Sequence, residues 1–192
     1  MGDPKKPKKK YASPKKMWAV SRVMGDRMLA KKYGLKKKEE IWRASTKLSG
    51  KRKTARKLLA LELDQRIKME KELTDSLYSQ GLLERGATLE DVLGLKVESL
   101  LDRRLGTILC KKGMTTTQKQ ARQLITHGHI KVNGRKVTAP SYLVKRDEEN
   151  TVDFMKKELE AKLRPAVKAK PVQAPSPQEA APKEVKDVEK NV

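Results

Sequence analysis

The sequence predicts an α+β protein. It has a mainly helical N-terminal region, a small α/β module of two helices and a short, bent antiparallel sheet, and disordered termini. Three observations predict this. Apolar residues recur at helical spacing through much of 17–126 and then alternate at Ile130–Val132. Asn133-Gly134 follows at once, and this dipeptide supplies the two positive φ angles of a type I′ hairpin turn. The Lys- and Pro-rich start and the Ala/Pro/Lys/Glu-rich end hold too little apolar surface to offset the entropy of ordering. The expected divisions are a basic arm over 1–16, a helical region over 17–102, the α/β module over 103–165 and a disordered tail over 166–192.

The elements follow in order. A helix is expected from Met17 to Tyr33, stopped by Gly34, with Trp18 and Trp42 filling the small core of this region. A second, short helix covers Glu39 to Leu48 and ends at Ser49-Gly50. A long helix follows from about Arg52 to Tyr78, with Leu59, Leu63 and Ile67 and then Met69, Leu73 and Leu77 recurring every four residues. Its first turns are basic (Arg52, Lys53, Arg56, Lys57) and its later part is acidic (Glu62, Asp64, Glu70, Glu72). Thr88-Leu-Glu-Asp91 resembles a capping box and opens a short helix to about Gly94. Val97 to Leu109 is the next helix, with Leu101, Leu105 and Ile108 on one face and Arg103, Arg104, Thr107 and Lys111 on another. Thr117 reads as an N-cap with Gln120 completing a capping box. In the helix that follows, Ala121, Leu124 and Ile125 have core spacing, Lys119, Arg122, Gln123 and Thr126 lie roughly opposite, and Gly128 ends it. Lys136-Val137 begins the return strand of the hairpin, and Tyr142–Val144 and Thr151–Phe154 read as further short strands.

Charge narrows the function. The net charge is +22 over 192 residues. Residues 1–60 carry 21 Lys/Arg against 4 acids, 61–110 carry 7 against 10, and 111–164 carry 13 against 6. Two basic blocks flanking a near-neutral middle point to two contacts with a polyanion, and nucleic acid is the default partner. The single cysteine, Cys110, permits no disulfide within the chain, and a reducing, cytoplasmic location fits. Its expected role is that of a small buried residue. No apolar run approaches the roughly 20 residues that span a bilayer, so no membrane partner is expected. His127 and His129 lack the spacing of metal ligands on a helix face, and no phosphate-binding lysine loop or dinucleotide glycine fingerprint occurs. No catalytic residue, cofactor, metal or small-molecule substrate is expected.

The nucleic-acid features are concrete. A helix bearing Lys119 and Arg122 lies beside a hairpin bearing Lys131, Asn133, Arg135 and Lys136. Backbone amides around Thr117 and Gln118 add a phosphate cradle at the helix N-terminus. Aromatic residues are only 4% of the chain, too few for a base-stacking platform, so structured RNA read by backbone and shape is the expected ligand. A nonspecific nucleic-acid packing protein would share the charge without needing the capped helix and hairpin. A ribosome-assembly factor would need the same module.

These residues carry a resemblance. Arg103-Arg104-Leu105, Lys111-Lys112-Gly113, Gln120 to Gly134 and Pro140-Ser-Tyr-Leu-Val144 closely resemble the S-four RNA-binding domain. Gly2-Asp-Pro4, Lys10-Tyr11, Trp18, Tyr33 to Lys36, Trp42-Arg43 and Ala55 to Leu59 keep the order and spacing of the archaeal and eukaryotic form of the S-four family of small-subunit ribosomal proteins. The resemblance spans roughly 2–155. It implies a non-enzymatic protein that binds the 5′ domain of small-subunit rRNA and nucleates assembly. It further implies support of decoding accuracy near the channel by which mRNA enters, beside the third and fifth small-subunit proteins and the mRNA itself. Arg103, Arg104, Lys119, Gln120, Arg122, Gln123, His127, His129, Lys131, Asn133 and Arg135 match the domain's RNA-facing elements. Lys10, Tyr11, Arg22, Lys36, Arg43, Arg52, Arg56, Lys57, Lys111 and Thr117 complete the candidate rRNA contacts. The Cys-rich zinc knuckle of some bacterial members is missing, so zinc is not implied.

Overall fold

The computed structural model describes residues 9–156. The first eight residues of the basic arm, the last part of the expected α/β module and the expected disordered tail lie outside the described residues. The elements are α1 (Val20–Lys32), α2 (Lys38–Leu59), α3 (Leu63–Ser79), α4 (Leu89–Gly94), α5 (Val97–Asp102), α6 (Leu105–Lys111), α7 (Gln118–Thr126), β1 (Ile130–Val132), β2 (Arg135–Lys136), α8 (Arg146–Glu149) and β3 (Val152–Phe154). The α+β expectation holds: helices fill the N-terminal region, and a three-stranded antiparallel sheet ordered β2-β1-β3 lies in the C-terminal module.

Two cores correspond to the two regions. Leu48, Ala55, Leu58, Leu73, Leu77, Leu89 and Val92 knit α2, α3 and α4 together. Leu105, Ile108, Leu109, Ala121, Ile125, Ile130, Val132, Val144, Val152 and Phe154 form the core of the C-terminal module. A smaller cluster of Tyr33, Ala44, Leu100 and Leu101 sits beside them.

Several element boundaries differ from the sequence expectation. Ser49-Gly50 does not end a helix, and α2 runs straight through it. Glycine in a helix interior costs only about 1 kcal/mol, less than the burial of Leu48, Ala55 and Leu58 on one continuous face contributes. The long helix over 52–78 is instead two, broken at Ala60–Glu62, so that α3 folds back on α2. Leu58 and Leu77 then share a core, and Leu59, Leu63, Ile67 and Met69 are left exposed. The basic and acidic stretches therefore lie on two packed helices and not at opposite ends of one rod.

The helix over 97–109 is also two. At Arg103–Arg104 the backbone leaves helical geometry to pair with the following module. Leu105 N–H donates to Tyr142 O at 2.9 Å, and Val144 N–H donates to Arg103 O at 3.0 Å. The expected strand Tyr142–Val144 is this single bridge, Arg104 with Leu143, and not part of the sheet. Trp18 is 89% exposed, not a core residue, because it precedes α1 where nothing packs over it. The described part of the basic arm, 9–16, is not free. Ala12 N–H donates to Thr46 Oγ1 at 3.0 Å, and the Tyr11 ring lies 5.9 Å from that of Trp42.

Candidate nucleic-acid interface

The site is built on α7 and the hairpin. Thr117 caps α7, its hydroxyl accepting from Gln120 N–H at 3.2 Å. The Gln120 side chain reaches Thr116, accepting from its N–H at 3.0 Å, one residue earlier than the expected box. Ala121 and Ile125 are fully buried, which aims Lys119, Gln123, Thr126 and His127 at solvent as a strip along the helix. The C-terminus closes in a Schellman arrangement: Gly128 N–H donates to Ile125 O and His129 N–H to Leu124 O. Gly128 has φ +73°, and a Cβ there would collide with the Lys136 side chain laid across it. Thus Lys136 joins the two histidines, whose rings stack at 6.2 Å.

The strand-to-turn geometry carries the site onward. Ile130 and Val132 are buried, so Lys131 faces the other side of the sheet, between Lys136 and Asp153 in the ladder. Asn133 and Gly134 have φ of +50° and +75°, as the Asn-Gly turn requires. The turn is tied to the neighbouring strand by Asn133 N–H donating to Thr151 Oγ1 at 3.3 Å. Asn133, Arg135 and Lys136 are exposed at the hairpin tip. Lys119, Gln123, Thr126 and His127 on α7 and Asn133, Arg135 and Lys136 at the hairpin tip are exposed donors on elements that share one core, and Lys131 is half-buried on the outer face of the sheet.

Three of the expected arginines are placed differently. Arg104 is 7% exposed and donates to Glu40 at 2.7 Å. Arg122 donates to the same carboxylate through both terminal nitrogens, at 2.8 and 3.2 Å. Glu40 stands in the first turn of α2, so it clasps the helical region to the C-terminal module. Burial raises the Glu40 pKa, but the hydrogen bonds and charges of Arg122 and Arg104 outweigh it and hold the carboxyl below its ordinary value. Arg103 donates to Glu149 at 2.8 Å and to Val144 O at 3.0 Å, with its guanidinium against Gly81. The expected basic face of Arg103, Arg104, Thr107 and Lys111 does not exist as one surface. Arg104 and Thr107 are buried, and the break before α6 turns the rest apart.

Glu40 gives no signal in the sequence, since an acid in a first helical turn reads as a partner of the helix dipole. Gly34 reads there only as a helix stop. Its φ is +58°, and a Cβ there would lie 2.8 Å from Gln118 Cβ, so it also lets the end of α1 abut the start of α7. At the same end of α1, Tyr33 donates to Asp102 at the end of α5 at 3.0 Å, and burial with that bond raises its pKa.

The other candidates divide likewise. Lys10, Arg43 and Arg104 line one cavity of about 200 Å³ with Lys47 and Glu40. Lys36, Arg56, Lys57 and Lys111 are exposed. Arg22 is paired with Asp26 at 2.8 Å, and Arg52 donates to Leu95 O. The Cys110 pKa is raised by burial, partly offset by Thr115, and the thiol packs against the module core. Among the described residues no cluster of metal-ligating side chains occurs, and no helix is long and apolar enough to cross a membrane.

The whole arrangement has known counterparts. Residues 103–150 match the S4 domain, and residues 5–102 match the ribosomal protein S4/S9 N-terminal domain. The chain belongs to the S4 family of ribosomal proteins. Its relatives named small ribosomal subunit protein uS4 include that of Ignicoccus hospitalis, 49% identical over 80% of this chain and 93% of the relative. That of Methanothermobacter thermautotrophicus is 45% identical over 84% and 97%, and that of Methanosphaera stadtmanae is 44% identical over 80% and 85%. A uS4-family chain is a structural RNA-binding protein of the small subunit and not an enzyme.

Proposed function

We propose that this chain binds the 5′ domain of small-subunit rRNA in the cytoplasmic ribosome, nucleates assembly there and supports decoding accuracy near the channel by which mRNA enters. The third and fifth small-subunit proteins and the mRNA are its proposed neighbours. One observation carries the reading: the exposed polar residues of α7 (Lys119, Gln123, Thr126, His127) and those of the Asn-Gly hairpin tip (Asn133, Arg135, Lys136) belong to one continuous helix–turn–strand segment with a shared core. Charge-assisted donors on a folded frame suit the phosphates and 2′-hydroxyls of A-form RNA, whose deep groove excludes side chains. Lys119, Gln123, His127, His129, Lys131, Asn133 and Arg135 are the proposed contacts of the S4 domain, with Thr117 and Gln120 holding the helix end and its amides. Lys10, Tyr11, Lys36, Arg43, Arg56, Lys57 and Lys111 are the proposed contacts of the remaining surfaces. Arg22, Arg52, Arg103, Arg104 and Arg122 are proposed to act through the folded frame, because their guanidiniums already have protein acceptors.

The test is the salt dependence of binding to a 5′-domain rRNA fragment. Lys119→Ala with Arg135→Ala removes two exposed cations, and each phosphate left without its cation lowers the log–log slope by about 0.7–0.9. An unchanged slope refutes this surface. Sedimentation in high salt separates the rival classes. About one copy retained per mature small subunit supports a ribosomal constituent; loss to the top of the gradient supports a nonspecific binder, and presence only on immature particles supports an assembly factor.

A further inference from the structure

The Trp18 indole stands in solvent. Of the chain's Trp, Tyr and Phe side chains Trp18 alone is exposed, at 89%, and the others are buried or half-buried. Its backbone is nevertheless held. Arg22, in the first turn of α1, donates through Nε to Lys16 O at 3.4 Å and through a terminal nitrogen to Met17 O at 2.5 Å. The same guanidinium is fixed by Asp26 at 2.8 Å, and Asp26 is buried. The two carbonyls before Trp18 are thus tied to α1, and the indole is displayed from an anchored turn. An aromatic side chain displayed in this way gives up little conformational entropy when it meets a ligand.

Its surroundings select the ligand. From Lys9 to Lys32 the chain holds eight Lys and Arg against one acid, Asp26, which is already paired with Arg22. Lys15 and Lys16 directly precede Met17-Trp18 and are exposed. Along α1, Val20, Met24, Arg27, Met28 and Lys31 share the outward face, all exposed, and that face carries no acid. Lys32, at the end of the helix, is paired with Glu98 of α5 at 3.4 Å. Lysine is depleted at protein interfaces, whereas cations beside an exposed aromatic are the make-up of a site for unpaired nucleic acid. Bases within a duplex stack on one another, so an indole finds a free π face on a base that lies outside one.

We propose that Trp18 stacks on an unpaired base of the small-subunit rRNA, splayed from a bulge, loop or junction, while Lys15 and Lys16 hold the phosphates beside it. This rests on the rRNA-binding reading above. It adds a contact to a base in a protein whose other proposed contacts go to backbone and shape. One ring is too little for a single-strand platform, but it is enough to register the helical region on one nucleotide.

The test measures binding of the full chain to a 5′-domain rRNA fragment across salt, for the unaltered protein and for Trp18→Ala, Trp18→Leu and Trp18→Phe. All four should melt within about 2 °C of one another, since the side chain lies in solvent. A larger drop makes Trp18 part of the core and overturns the proposal. Trp18→Ala should weaken binding by roughly 5- to 150-fold, the loss of one base–aromatic stack. The log–log salt slope should not move, because an indole releases no counterions. Trp18→Phe keeps a π face and should bind about fivefold or more tighter than Trp18→Leu, which keeps apolar bulk without one. The indole emission that Trp18→Phe lacks should be quenched in the unaltered chain when rRNA binds. Equal affinity of the unaltered chain and Trp18→Ala, equal affinity of the Leu and Phe variants, or unquenched emission overturns the proposal. Full affinity of Trp18→Ala for the fragment, with the variant outcompeted only in assembled subunits, gives the indole to a protein and also overturns it. An unchanged slope for Lys119→Ala with Arg135→Ala counts against the α7–hairpin surface alone, and the Trp18 series still decides the stack. No affinity of the unaltered chain for the fragment overturns both readings.

Discussion

Glu40→Gln is the most informative single change, because charge and architecture predict opposite outcomes. It removes one negative charge from a strongly basic chain, which by electrostatics alone strengthens RNA binding. It also leaves Arg104, whose side chain is 8% exposed, without the one anionic partner it has among the described residues. Breaking a buried ion pair from one side costs about 3–5 kcal/mol. The Gln carbonyl still accepts one hydrogen bond, and Arg122 at 22% exposure is partly solvated, so a cost of about 2–4 kcal/mol is expected. For a chain of this size that lowers the Tm by roughly 5–15 °C. The pH dependence gives a second reading. The folded-state pKa of Glu40 lies below its unfolded value, so its contribution is complete above about pH 4.5 and is lost as pH falls through the depressed value. The Gln variant has no such component, so the Tm gap between the two proteins should narrow below about pH 4.5. Circular dichroism melts from neutral pH to pH 3, paired with rRNA titrations, read all of this. Equal Tm values at pH 7 together with tighter specific rRNA binding would refute the clasp.

Two further substitutions probe the frame. Gly34→Ala forces a side chain into a positive-φ site and against the Gln118 backbone, 3.2 Å away; a loss of about 2–4 kcal/mol in chemical denaturation is expected, and a loss under about 0.5 kcal/mol would show that the α1–α7 junction yields freely. Thr117→Ala removes the α7 cap and should cost about 1 kcal/mol, or roughly 2–4 °C in Tm; a larger drop in rRNA affinity than in stability would assign the hydroxyl or its amides to the RNA itself.

Much of the α7–hairpin module is legible in the sequence because its signals are local. Thr117 as a cap, Gly128 as a stop and Asn133-Gly134 as a turn each depend on the conformation of a few adjacent residues, and each is found where the sequence places it. Alternation at Ile130–Val132 likewise settles which strand residues turn inward. Periodicity cannot say where a helix folds back. The series Leu59, Leu63, Ile67 and the series Met69, Leu73, Leu77 have the same spacing, but only Leu73 and Leu77 meet a partner helix, and that depends on the turn at Ala60–Glu62. Nor can it divide the arginines. Arg104 and Arg122 carry the same charge as Lys119 and Arg135 in the sequence, and an acid 64 and 82 residues away decides that they face inward. Local backbone preference therefore writes the hairpin proposed to meet RNA into the sequence. Long-range packing alone decides which cations stay free to meet RNA, because pairing depends on what the fold brings within 3 Å.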